Sequence, residues 1–167
     1  MTARALGICV RTGWAACVVA GGSLREPEIV ANEVVIVLGG AERFCFHAAS
    51  RMALADAAAW IDRVRAMALV NARRSIGPLV AERVAVCAIV AKEGSPRGLE
   101  SVLASHALIH AAEGCFYRDV FRDACPVPVR VIPPSRLDAA TVGRLARPPW
   151  GRDQKLAALA AWAALRG

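Results

Sequence analysis

The sequence predicts an α/β fold in which a mixed sheet of five strands carries helices on its faces. Three short apolar segments come first, and their short connections are typical of antiparallel neighbours. The spacing of apolar residues then becomes helical, and helical and strand-like segments alternate to the end. Residues 83–91, RVAVCAIVA, form a nearly continuous apolar run, as expected of a strand buried on both faces.

The predicted elements follow one another as three strands, a helix, a strand, a helix, a strand and a helix. The strands are expected at residues 5–10, 14–20, 29–38, 83–91 and 127–132. The helices are expected at residues 52–74, 99–121 and 152–165, with a short additional one near 138–145. Gly13 marks a turn or bulge, and Gly77-Pro78 is expected to end the first helix. Ser95 is suited to cap the central helix, with Pro96 in its first turn.

Size and charge limit the possibilities. A chain of 167 residues with 56% hydrophobic content is long enough for one substantial core, so residues 1–167 are expected to form a single domain. The formal net charge of +7 suits an anionic partner such as nucleic acid. The basic residues are scattered, however, with no run longer than Arg73-Arg74. The charge therefore permits nucleic-acid binding without indicating it.

The six cysteines and the apolar segments predict a reduced protein of the cytoplasm. No CxxC pair occurs, so neither a zinc ribbon nor a disulfide framework is indicated. Most cysteines lie inside apolar runs, where a thiol behaves as a small hydrophobic group. Residues 14–20 are too short for a signal peptide, and no apolar run is as long as a membrane span. We therefore expect no membrane partner.

The segment 99–121, LESVLASHALIHAAEGCFYRDVF, combines an apolar helical stripe with ionisable residues. The stripe expected to face the core contains Val102, Ile109, Phe116 and Val120. His106 and Glu113 fall on the same stripe, and His110 and Tyr117 lie on its flank. A carboxylate that faces a core is costly unless it is paired or hydrogen-bonded. The pattern thus predicts either a structural network of His106, Glu113 and Tyr117 or an active or ligand-binding site.

A site of the second kind would use His106, His110 and Glu113 as metal ligands or acid–base groups. Histidines four residues apart place their imidazoles one helical turn apart, which suits a divalent metal. Asp153 or a cysteine would have to complete the ligand shell. His47 is interpreted either as a residue that starts the first helix or as a fourth polar partner.

Three stretches resemble the RuvC-type Holliday-junction resolvases. Residues 6–15, LGICVRTGWA, are similar to the opening hairpin of that family, in which a glycine-containing turn is followed by a Thr-Gly-Trp or Thr-Gly-Tyr strand. Residues 84–92 lie where the family has its fourth strand, and residues 150–165, WGRDQKLAALAAWAAL, resemble its final helix. The resemblance implies a ribonuclease H-like fold with strand order 3-2-1-4-5. It also implies branched DNA or structured RNA as partners.

The same resemblance places the family's magnesium-binding carboxylates at Cys9, at about Cys87, and at Asp153. Only Asp153 is acidic, and Lys155 lies where more negative charge would be wanted. A thiol is a poor ligand for a hard cation, so we expect the standard two-metal nuclease site to be absent. Because strands one and four are adjacent in this fold, Cys9 and Cys87 are expected to be neighbours, either as core filler or as a thiolate pair.

Three functions follow as hypotheses. The first is a nucleic-acid-binding relative of the resolvases, with Tyr117, Arg118 and Lys155 as candidate substrate contacts. The second is an enzyme whose catalytic residues are His106, His110, Glu113 and Asp153, with a divalent metal as its possible cofactor. The third is a non-catalytic interaction module that forms a homodimer.

Overall fold

The computed structural model describes residues 3–23, 26–92, 94, 97–137 and 150–166. Its strands, in the described part of the chain, form one mixed sheet in the order β3-β2-β1-β4-β5. They are β1 (Arg4–Arg11), β2 (Trp14–Gly22), β3 (Pro27–Ile36), β4 (Val84–Val90) and β5 (Val129–Ile132). The first three are antiparallel, whereas β4 is parallel to β1 and β5 is parallel to β4. The predicted fold class and strand order are confirmed.

Helices lie on both faces of the sheet. They are α1 (Cys45–Ala49), α2 (Leu54–Ala81), α3 (Leu99–Leu103), α4 (His106–Ala124) and α5 (Arg152–Leu165). Short 3-10 turns, Glu42–Phe44 and Pro134–Arg136, precede α1 and follow β5. The short helix expected at residues 138–145 and the capping roles of residues 95 and 96 concern positions outside the described residues. No described helix is both long enough and apolar enough to cross a bilayer.

One face of the sheet is covered by α5 and is packed with small side chains. The buried alanines of α5 lie against Ala5, Cys9, Ala16 and Val90. Backbone meets backbone at Gly7, where a Cβ atom would lie 1.8 Å from the carbonyl oxygen of Ala157. Only glycine allows a helix to approach a strand this closely.

The opposite face is covered by α2 and α4 and is packed with larger side chains. Its core includes Ile8, Ile76, Ile89 and Phe121, all completely buried. Burial of such side chains contributes roughly 1.5–3 kcal/mol each to the stability of the fold. The N-terminal half of α4 leaves this core, because its buried residues pack with Val102 and Phe46 instead.

A tight hairpin turn joins β1 to β2 and fixes the chain that follows β3. Arg11 pairs with Trp14, so Thr12 and Gly13 alone make the turn, and Gly13 has a positive φ of 84°. The Gly13 carbonyl accepts hydrogen bonds from the backbone N–H groups of Val37 and Leu38. This contact directs the chain after β3 past the hairpin and into α1.

Two predicted helices have different bounds in the structure. The first continues through Gly77 and Pro78 to Ala81, because Leu79 extends the buried stripe and a proline in the last turn removes a single backbone hydrogen bond. The predicted central helix is divided at Ser105, whose backbone is extended with φ −136° and ψ 119°. His106 therefore begins α4 and is exposed, and its predicted place on the buried stripe is wrong.

Candidate functional site

The buried residues of the N-terminal half of α4 pack with Val102 and Phe46 rather than with the sheet core, and two buried side chains anchor the helix. The hydroxyl of Tyr117 donates to the Arg43 carbonyl oxygen at 2.7 Å. The Arg118 guanidinium donates to the carbonyl oxygens of Lys92 and Gly94 at 3.3 and 3.0 Å. Tyr117 is inaccessible and Arg118 is 7% exposed. Their role as substrate contacts stays a prediction, whereas their contacts here hold two loops in place.

Helix α1 is fixed beside α4 by similar contacts. The indole of Trp60 donates to the Cys45 carbonyl oxygen at 3.2 Å, and the Asn71 amide donates to the Val37 carbonyl oxygen at 2.9 Å. Phe46 meets Phe116 edge to face with ring centroids 6.0 Å apart. These contacts fix the chain up to Phe46 and so determine the position of His47, the next residue of α1.

His47 faces His106 and His110, so the three histidines of the chain form one cluster. Their ring centroids are separated by 5.3 Å (His47 to His106), 4.8 Å (His47 to His110) and 4.5 Å (His106 to His110). The Nε2 atoms of His106 and His110 are 3.0 Å apart. One nitrogen from each ring lies within 4.8 Å of the other two. We call His47, His106 and His110 the histidine cluster.

Glu113 lies beneath the histidine cluster and is 2% exposed, which confirms its predicted burial. Its Oε1 atom is 2.8 Å from Nδ1 of His47. The predicted network of His106, Glu113 and Tyr117 is wrong in its partners, because Tyr117 donates to Arg43 and Glu113 pairs with His47. The sequence did point indirectly to His47. A buried carboxylate such as Glu113 requires a hydrogen-bonding or basic partner, and a histidine can be one.

Asp153 lies apart from the histidine cluster, at the start of α5 on the other face of the sheet. Both of its carboxylate oxygens accept hydrogen bonds from Arg11: Oδ2 from Nε at 3.1 Å and Oδ1 from Nη2 at 2.5 Å. The hydrogen bond from Arg11 holds the pKa of Asp153 below its usual value. The structure thus brings together three of the four residues predicted to be catalytic, and places Asp153 elsewhere.

The thiol of Cys9 adjoins this ion pair, with Sγ 3.7 Å from Oδ1 of Asp153. Burial, reinforced by the nearby carboxylate, raises the pKa of Cys9 to about 11. Cys9 is therefore a protonated thiol at neutral pH.

Cys87 is not a neighbour of Cys9, which corrects the prediction from the resemblance. Cys9 is paired in register with Val90, whereas Cys87 is paired with Leu6 and lies in the core under α2 and α4. Its neighbour is Cys125, and a hydrogen bond between the two thiols lowers the pKa of Cys125 and raises that of Cys87. The β4 position on the face of Cys9 is occupied by Ala88 or Val90.

Exposed cationic side chains collect at the same end of the sheet as the histidine cluster. They come from the 3-10 turn before α1, the segment after β4 and the first turn of α5: Arg43, Lys92, Arg97, Arg152 and Lys155. Arg43 lies against the hairpin turn, since a Cβ atom on Gly13 would be 2.8 Å from that of Arg43. We call these five residues the basic end.

Known structures resemble the whole of this fold. The chain is similar to Thermus thermophilus RuvC in complex with a Holliday junction substrate, with TM-score 0.59 and 14% sequence identity, over 98% of this chain and 93% of the other. A second Thermus thermophilus RuvC structure gives TM-score 0.51 and 15% identity, over 97% and 93% of the two chains. No protein-family profile and no curated protein matches the sequence. The chain therefore has a RuvC-like ribonuclease H fold.

Proposed function

We propose that this protein binds branched DNA or structured RNA through the basic end, and that it does so without a two-metal nuclease site. The observation that carries the proposal is the collection of exposed cations at one end of a RuvC-like sheet. One of the similar structures holds a Holliday junction. Phosphate contacts by arginine and lysine supply most of the affinity in such complexes.

The residues at the family's magnesium positions do not fit two hard cations. The first position is a protonated thiol, Cys9, and β4 contributes only apolar side chains on that face. The remaining carboxylate, Asp153, is already neutralised by the guanidinium of Arg11. Magnesium requires oxygen ligands in near-octahedral geometry, which this set does not supply. No phosphodiester cleavage is expected from these residues.

Binding is tested by fluorescence anisotropy with a labelled four-way DNA junction and a duplex of the same sequence. We expect tighter binding to the junction and a steep loss of affinity between about 50 and 200 mM salt, with a slope of about −0.9 per phosphate contacted. The charge reversals Lys92→Glu and Arg97→Glu should weaken binding at least about tenfold and reduce that slope.

The matched control is Arg74→Glu, which makes the same charge change on α2, two turns before that helix ends near the opposite end of the sheet. It should change binding far less than either variant of the basic end. Absence of junction binding at low salt, or an equal loss in Arg74→Glu, would contradict the proposal. Incubation of the junction with Mg²⁺ and the protein is expected to leave it intact.

The homodimer and the interaction module stay predictions. Exposed apolar side chains support them: Leu54, Met67 and Val70 on α2 and Val34 and Ile36 on the edge strand β3 are 42–66% exposed. Analytical ultracentrifugation of the wild type and of Val70→Glu measures whether these side chains hold two copies together. A monomer for both proteins would contradict the homodimer.

A further inference from the structure

The histidine cluster has the geometry of a set of metal ligands. Side chains from two separate helices, α1 and α4, bring one ring nitrogen each to within 4.8 Å of the others. Tetrahedral coordination at the usual zinc–nitrogen distance of about 2.0–2.1 Å would need these nitrogens roughly 3.3 Å apart. Small side-chain rotations close the difference, since His106 and His110 are both exposed and their Nε2 atoms are already 3.0 Å apart.

Glu113 is the second feature that supports a metal site. A histidine that binds a metal through one ring nitrogen commonly donates its other N–H group to a carboxylate, which fixes the ring and its tautomer. His47 does this, because its Nδ1 atom lies 2.8 Å from the buried Oε1 of Glu113. In the neutral ring with the proton on Nδ1, Nε2 of His47 carries the lone pair that a metal would bind. Among the described residues, His47 is the side chain that pairs with the buried carboxylate of Glu113.

The position of His47 is fixed before any metal binds. Tyr117 and Trp60 donate to the carbonyl groups of Arg43 and Cys45, which come shortly before His47 in the chain. The hydroxyl of Ser50 donates to the carbonyl oxygen of His47 itself at 2.8 Å. The ligands therefore come from rigid, mutually anchored helices rather than from a mobile loop.

We propose that His47, His106 and His110 bind a transition-metal ion, Zn²⁺ foremost, with Glu113 as the outer partner of His47. Imidazole ligands suit zinc and its neighbours in the first transition series, and not magnesium or calcium. Three protein ligands leave a fourth position for water, as in zinc sites with a catalytic function. The sequence-based set is thereby revised: His47 replaces Asp153, and Glu113 orients a ligand instead of being one.

The site is tested on protein without a polyhistidine tag, stripped with a chelator and dialysed. Isothermal titration with Zn²⁺ should give one equivalent bound, and Co²⁺ should give the visible spectrum of a nitrogen-ligated ion without thiolate charge-transfer bands. Substitution of His106 or His110 by Gln should abolish the stoichiometric binding. Glu113→Gln should keep one equivalent with affinity lowered about 10–100-fold. Circular dichroism checks that each variant is folded.

The matched control is Cys125→Ser. It removes a partly exposed thiol that is not part of the histidine cluster and that could compete for zinc. It should leave the stoichiometry and the Co²⁺ spectrum unchanged. Zinc binding that survives the loss of both His106 and His110, or that disappears in Cys125→Ser, would overturn the proposal. Absence of stoichiometric binding in the wild type would do the same, whatever the outcome of the junction-binding assay.

Discussion

Two carboxylates lie near the same end of the molecule, and their partners differ. On the α5 face, Asp153 is held by both nitrogen donors of Arg11, a permanent cation. Glu113, on α4, is paired instead with His47, whose imidazole also faces the rings of His106 and His110. The first carboxylate is fully neutralised within its pair. The second orients His47, whose histidine cluster has the geometry to bind a metal ion.

This difference shows which parts of the fold have side-chain atoms that can bind a metal ion. The positions at which the resemblance implies magnesium carry a thiol, apolar side chains and a carboxylate that is already paired with Arg11. In the described part of the chain, the nitrogen atoms that could bind a metal lie where α1 and α4 meet. The following predictions test this contrast, beginning with the largest effect.

The α5 face should be intolerant of a single added methyl group. In Gly7→Ala the new Cβ would overlap the backbone of Ala157 and Ala161, which no side-chain rotation relieves. We expect a loss of about 4 kcal/mol in the free energy of unfolding, measured by urea denaturation. Gly114→Ala, at an open position of α4, should instead stabilise by about 1 kcal/mol. A loss of stability below about 1 kcal/mol in Gly7→Ala would contradict the close packing of α5 on β1.

Substitution of Glu113 should be the next most costly. Glu113→Gln keeps the shape of the side chain but weakens its hydrogen bond, at a cost of about 1–3 kcal/mol in the free energy of unfolding. Glu113→Ala should cost about 3 kcal/mol or more, because it removes the partner of His47 and leaves a cavity. Thermal and urea unfolding of metal-free protein measure both. An unchanged or higher melting temperature for Glu113→Gln would contradict the structural part of its role.

The ion pair of Arg11 and Asp153 should contribute less, because half of it is exposed to solvent. The folded state lowers the pKa of Asp153, so the pair stabilises above the unfolded pKa of about 3.9 and loses this contribution as the pH falls further. Arg11→Gln should therefore cost about 1 kcal/mol at pH 6 and progressively less as the pH falls below about 3.9. Melting temperatures across this range measure it, and a double-mutant cycle with Asp153→Asn isolates the pair. A cost that does not decrease as the pH falls would contradict the assignment.

The smallest effect concerns thiol reactivity rather than stability. Cys9 is 2% exposed and burial raises its pKa to about 11, whereas Cys125 is partly exposed with a lowered pKa. Iodoacetamide at pH 8 should therefore label Cys125 well before Cys9, as peptide mass spectrometry can show. Faster labelling of Cys9 would mean that its site is open enough for a metal after all.

The sequence predicts the sheet well because its evidence is local. Short connections and turn residues such as Gly13 determine which strands pair, and the buried stripe of α4 is written in its apolar spacing. The relative register of β1 and β4 is not predictable in this way. Residues 84–90 are apolar throughout, so no alternation shows which side chains face α5, and a shift of one residue moves Cys87 to the opposite face.

The candidate site is predictable only in its α4 half. His106, His110 and Glu113 share one helix, so their spacing alone brings them together. His47 joins them through the path of the chain after β3, which depends on the Gly13 carbonyl and on contacts from α2 and α4. The partner of Asp153 was hidden for a similar reason, since Arg11 and Asp153 come from opposite ends of the chain.

The packing of α5 on β1 also determines when the protein can finish folding during its synthesis. The central strand is made first, yet the helix that covers one of its faces is made after all five strands. Until residues 152–165 emerge from the ribosome, the apolar side chains of Ala16, Val18 and Val90 on that face have no helix over them. Such a nascent chain exposes an apolar surface to which chaperones and other chains can bind. Ribosome-bound fragments that stop before residue 152 should accordingly associate more readily than those that include it.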